Sequence, residues 1–429
     1  MAGGLTRAAA GALCAALVWA VPAHGQATIV GEPRSAPPPE TGAGNPAVAP
    51  RSGAAGHLAA YTAPTARGDY EVYTRVLDGG GEPVTPPVRV TSFGPSGDRR
   101  YGIDSLALVH EDRRDRFLLA YTGLREFAEH GVSARYARLL DRKGRPAGPA
   151  VRLSDDARAT YDLSDEDAAY DPVTRTFAVV WTPESKRAAV QARVVDATGS
   201  PIGAHALSLP NERAGAPAVA ANSAGGGFVV AWGEGARLFT ARVDPRRGAA
   251  GPFRVARRRP APAYRGDEGN VDDPAMAFDS ERGEFGVAWT TDDGSVSAIL
   301  LQRLSGDGRR ALGAPVGASA PPGPGRYRTS PALAYGTGDA TFTVVWEDVG
   351  GSSSGSACSD QVIRSRRIAS GGEPLGGEPE ALSAPADPHE PSGDQCPPSP
   401  SSPAVATGPS GRGFAALWAR WPYVLATAR

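Results

Sequence analysis

The stretch FAVVWTPESKRAAVQARVVDATGSPIG, residues 177–203, decides the reading of the whole chain. Two aromatics frame three apolar residues, an Ala-Arg pair follows, and a Gly-Ser-Pro turn closes the unit. Aligned on the second aromatic, the same order returns as HLAAY ending at Tyr61, FLLAY at Tyr121, FAVVW at Trp181, FVVAW at Trp232, FGVAW at Trp289, FTVVW at Trp346 and FAALW at Trp418. A short apolar segment such as SLALV, DAAYD or PALAY precedes each copy. An arginine follows each, as Arg75, Arg138, Arg193, Arg242, Arg303, Arg367 and Arg429.

The spacings between copies are 60, 60, 51, 57, 57 and 72 residues. Alternation at period two, with Val, aromatic, Gly and Pro enrichment, predicts strands and turns and leaves no helical stripe. Four short strands and their turns consume roughly 50 residues, one propeller blade, whereas a tandem sandwich needs about 100 per unit. The expected fold is therefore all-β: a seven-bladed β-propeller of four-stranded antiparallel blades. The blades are placed at about 44–92, 103–154, 163–210, 214–257, 271–318, 328–384 and 401–429. The last copy contains only three strands, and residues 27–30 (ATIV) are expected to complete it and close the ring, removing its open edge.

Bulk properties agree with a repetitive assembly of small cores. At 429 residues the chain exceeds the ~250 to 300 residues at which one continuous core stops growing. A formal net charge of -1 supplies no basic field, which argues against nucleic acid as a partner. Residues 1–25 combine Arg7, an apolar run and a small-residue triplet at 23–25, the pattern of a secretory signal; 26–429 are expected to form a single domain, secreted or periplasmic. No second apolar run is long enough to span a membrane, and a monomer is expected. Beyond the signal remain Cys358 and Cys396, an even pair in an oxidising compartment, and a disulfide between them is expected.

The repeat resembles those of secreted bacterial seven-bladed β-propeller proteins, a group without an assigned activity, and the likeness covers nearly all of 26–429. It implies a fold and no reaction. The S-x-D-x-G-x-x-W box of sialidases, the GH and WD pair and the kelch glycine doublet are all missing, so no active site is carried over from those families. The repeated aromatics and arginines are read as packing between blades, because seven equivalent residues serve a ring better than a single ligand cage.

Chemistry is expected on one face. Turns between the first and second and the third and fourth strands are short, while those between the second and third strands and between blades are long and irregular, as at 122–131, 257–273, 350–361 and 386–402. Length tolerated on one side marks the binding side. The innermost strands enter from that side, and the residues just ahead of them, Asn45, Asp104, Ser105, Asp165, Asp272, Asp273, Ser330 and Ser402, are expected to ring a central funnel. Carboxylates among hydroxyls suit a polyol such as a carbohydrate, or a hard cation, with Ca2+ the candidate ion and Asp165 and Asp273 its candidate ligands. The same residue types before a strand also cap turns, which is their commoner use. The expected function is an exported scaffold that binds a carbohydrate or an extracellular protein through its long-loop face; the alternative is a polysaccharide-acting glycoside hydrolase or lyase using the funnel carboxylates.

Overall fold

The computed structural model describes residues 44–52, 56–66, 68–94, 101–125, 132–154, 157–158, 166–183, 189–208, 214–257, 270–292, 297–320, 326–350, 360–383, 400–408, 411–420 and 426–428. Every element among them is a β-strand. Each copy of the aromatic motif is the second strand of an antiparallel sheet, flanked by the apolar segment before it and the arginine-bearing strand after it. The third sheet shows the pattern: Asp167–Asp171, Thr176–Trp181, Gln191–Asp196 and Pro201–Ala206 pair in chain order.

Six sheets carry four strands in this sequential order, the second of them with an added two-residue strand, Ala157–Arg158, on its third strand. The expectation of seven four-stranded blades is thereby corrected to six. The seventh sheet has three strands, Pro400–Thr407, Phe414–Arg420 and Ala426–Ala428. The chain after Arg420 contributes only that one short strand among the described residues, and the segment expected to supply a fourth, 27–30, lies outside them.

The sheets stand around an axis. Each innermost strand adjoins the next in chain order, and the first, Gly44–Pro50, adjoins the last, Pro400–Thr407. The repeated aromatics drive this arrangement. Phe117, Phe177, Phe228, Phe285 and Phe342 are fully buried, as are Trp232, Trp346 and Trp418, and the buried clusters mix residues of neighbouring sheets. Phe228 and Trp232 of the fourth blade pack with Ala178 and Val180 of the third, while Leu417 and Ala406 pack with Tyr61 and Val48 across the ring closure. Burying each such ring contributes about 2 to 3 kcal/mol.

The recurring arginines also join blades. Arg138 donates to the carbonyl of Val90 at 2.6 Å, Arg193 to that of Leu153 at 2.9 Å and Arg303 to that of Gly371 at 2.7 Å, each acceptor lying in an adjoining blade.

Candidate funnel on the ring axis

The innermost strands begin at the long-loop face, and in five of the seven sheets the pairing with the second strand slips there, between Gly44 and Ala47, Ile103 and Leu106, Asp272 and Ala275, Thr329 and Ala332, and Ser401 and Ala404. Each slip inserts one extra residue into the innermost strand, a β-bulge. In three of them a residue at the bulge adopts the left-handed region: Asn45 at φ 44°, Asp273 at 46° and Ser330 at 52°. Short polar side chains tolerate that conformation better than branched ones. A proline follows each, Pro46, Pro274 and Pro331, and proline brings no N–H to be stranded where the ladder is interrupted.

Together the bulges shape a cavity of about 360 Å³ at the centre of the ring, with Asn45, Ser105, Glu166, Asp273 and Ser330 among its lining residues and the prolines supplying apolar surface between them. Asp273 and Asn45 are solvent-exposed and Ser330 is half-buried. The surrounding protein nonetheless strips water from the Asp273 carboxyl and raises its pKa, an effect partly offset by the backbone N–H of Ser330. Asp272 is also raised, first by burial and then by the negative charges of Asp273 and Asp292.

Glu166 is not among the residues expected to ring the funnel. By register it occupies the position that holds Pro46, Leu106, Pro217, Pro274, Pro331 and Pro403 in the other sheets, and a carboxylate in an otherwise apolar column is the signal that would have found it. Its side chain is enclosed and reaches back to the second blade. Oε2 accepts hydrogen bonds from Ser105 Oγ at 2.6 Å and Thr122 Oγ1 at 2.5 Å, and Arg135 Nε stands 3.7 Å away. Oε1 is buried with no hydrogen-bond partner among the described residues. Its neighbour Asp167 ties the third blade to the fourth, accepting from the backbone N–H groups of Val219 and Ala168, each at 2.8 Å. Burial pushes the Asp167 carboxyl up to about 6 against those bonds, with the Glu166 charge adding to the rise.

Of the residues expected to ring the funnel, the structure therefore brings Asn45, Ser105, Asp273 and Ser330 to one cavity, with Ser105 engaged by Glu166. Asp272 lies beside Asp273 in the strand Asn270–Asp279 and does not line the cavity. Asp104 and Ser402 fall within the strands Tyr101–Glu111 and Pro400–Thr407. Asp165, Cys358 and Cys396, and with them the expected disulfide, lie outside the described residues, as does most of the long-loop sequence. Among the described residues no group of three or more His, Cys, Asp or Glu side chains is placed to hold a metal ion, and no helix is long and apolar enough to cross a membrane.

No protein-family model matches the chain. No curated protein matches it in sequence. Solved structures do match. A Hadza microbial sialidase aligns at 9% identity and a TM-score of 0.48 over 91% of this chain, which spans 66% of that protein's length. The six-bladed fucose-recognising lectin of Aleuria aurantia aligns at 10% identity and a TM-score of 0.43, covering 81% of this chain and 97% of the lectin. A family 43 endo-arabinanase from Bacillus licheniformis aligns at 13% identity and a TM-score of 0.34, covering 63% of this chain and 94% of the enzyme.

Proposed function

We propose that this propeller is a carbohydrate-binding protein whose ligand enters the axial funnel from the long-loop face. The observation that carries the reading is the convergence of Asn45, Ser105, Asp273 and Ser330 on one cavity of about 360 Å³, the size range of a small-molecule site. Amide, hydroxyl and carboxylate groups match the donors and acceptors of a polyol, and the intervening prolines offer apolar surface to the C–H faces of a sugar ring. Left-handed polar residues at the bulges keep backbone strain at this spot, of order 1 to 3 kcal/mol each, a pattern found at ligand sites.

Binding is favoured over hydrolysis because, among the described residues, Asp273 is the one carboxylate lining the cavity with a solvent-exposed side chain, and glycoside cleavage uses two. Export rests on the leader pattern of residues 1–25. The reading is tested by titrating the protein with a glycan panel while following both binding and release of reducing ends. Saturable binding that Asp273→Ala abolishes, with no turnover, is the expected result; turnover by the wild type, or binding indifferent to Asp273→Ala, overturns it.

A further inference from the structure

The sheet face that rises from the funnel on the sixth blade bears a second set of saccharide-type groups. The strands Arg326–Gly336, Thr341–Gly350 and Asp360–Ala369 pair so that Tyr327 stands opposite Val349, which stands opposite Gln361, and Thr329 stands opposite Glu347. Cross-strand partners and residues two apart share a sheet face, so these side chains form one surface. The hydrogen bond from Gln361 Nε2 to Glu347 Oε2 at 2.9 Å lies on it. Lower on the same face, Val345 and Ile363 pack against Phe414, Ala416 and Trp418 of the seventh sheet. Arg326, Arg328 and Arg364 occupy the opposite face, gathered around Asp348, and take no part.

Tyr327 is 38% exposed, while the aromatics of the repeat motif are buried. It lies three residues from Ser330 on the same strand, about 10 Å away along it. The strand thus carries an exposed aromatic outward from the cavity wall at Ser330, beyond the reach of a single sugar ring held at the bulges.

Resting on the funnel reading, we propose that the Tyr327 face is an outer subsite for a further unit of the same carbohydrate, so that the physiological ligand is an oligosaccharide or a chain end. Tyr327 stacks on a sugar ring, and the half-buried Gln361 and Thr329 meet its hydroxyls, with the buried Glu347 carboxylate orienting the Gln361 amide. An amphipathic aromatic beside an amide and a hydroxyl recognises a sugar unit better than a lipid or a purely apolar peptide.

The test uses the full chain and cello-, laminari-, xylo- and chito-oligosaccharides of one to six units, titrated by calorimetry. Affinity should rise between one and three units for the series that binds, and Tyr327→Ala should lose that gain, about 2- to 10-fold, without changing affinity for the monosaccharide. Tyr327→Phe should retain it, and Tyr70→Ala, at the other exposed tyrosine among the described residues, should behave as wild type. Affinity independent of chain length, or a gain that survives Tyr327→Ala, overturns the outer subsite and leaves the funnel reading standing. Absence of any binding by the wild type across all four series counts against both. Loss of monosaccharide binding in Asp273→Ala but not in Tyr327→Ala separates the two sites.

Discussion

His57 of the first blade and Thr407 of the seventh sheet meet across the closure of the ring, with His57 Nε2 3.2 Å from the Thr407 carbonyl oxygen. Around this contact Val48, Ala59 and Tyr61 pack against Ala406 and Leu417, so the first and last sheets are joined by side-chain packing as well. A ring closed this way should unfold as one body. His57 is 3% exposed, and replacing it removes both the hydrogen bond across the closure and the packing of a buried ring. We expect His57→Ala to lower unfolding free energy by about 1 to 3 kcal/mol while keeping a single transition. Urea denaturation followed by fluorescence and by circular dichroism checks this; two separated transitions in the wild type would show that the closure is not cooperative.

The left-handed bulge residues allow stability and binding to be set against each other. At φ 46° Asp273 pays a conformational cost that glycine does not. Asp273→Gly should therefore match or exceed wild-type stability, by up to about 1 kcal/mol, while losing the carboxylate that the proposed ligand requires. Thermal melting paired with glycan titration measures both quantities. A marked drop in melting temperature would assign Asp273 a structural role and weaken its place in the funnel.

How much of this was legible in the sequence differs between the ring and its centre. The aromatic pairs reported the blades faithfully because each is the buried second strand of a sheet, and burial imposes the same residue types at every copy. The funnel residues were harder to read. Counting back from the aromatics located Asn45, Ser105, Asp273 and Ser330, but the left-handed bulges at Asn45, Asp273 and Ser330 depend on pairing with the next strand, which a linear pattern does not encode. The place of Glu166 at the funnel was not legible because its partners, Ser105, Thr122 and Arg135, belong to another blade, 61, 44 and 31 positions earlier in the chain. Asp165, one residue before it, falls in the column of Asn45, Ser105, Asp273 and Ser330, which is the pattern a linear reading follows. The count of complete blades erred at the seventh sheet, where the repeat motif is intact and the strands beyond it are short.

One irregularity of the repeat has a packing cause. The fifth copy reads FGVAW, with Gly286 where the other copies carry Ala, Val, Leu or Thr, and a Cβ at Gly286 would lie 2.6 Å from Cε1 of Phe342 in the sixth blade. The neighbour's fully buried ring fills the space. Gly286→Ala should cost about 1 to 3 kcal/mol through overpacking, and Phe342→Leu in the same chain should recover part of the loss. A double-mutant cycle by chemical denaturation reads the coupling; additive effects would mean that the two sites do not compete for this space.

The carboxyl of Asp167 makes stability depend on pH in a direction opposite to that of an ordinary salt-bridged aspartate. Its folded pKa, about 6, lies above the value of an unfolded aspartate, so between roughly pH 4 and 6 the folded chain holds a proton that the unfolded chain releases. The contribution of this group is therefore complete below the unfolded value and is lost as pH rises through the folded one. Asp167→Asn keeps an oxygen that can accept from Val219 N–H and removes the titration. We expect the variant to lose less stability than the wild type between pH 4 and 6.5, and thus to gain on it steadily as pH rises across that window. Melting temperatures taken at half-unit steps test the sign, and parallel profiles for the two proteins would show that Asp167 does not titrate in this range.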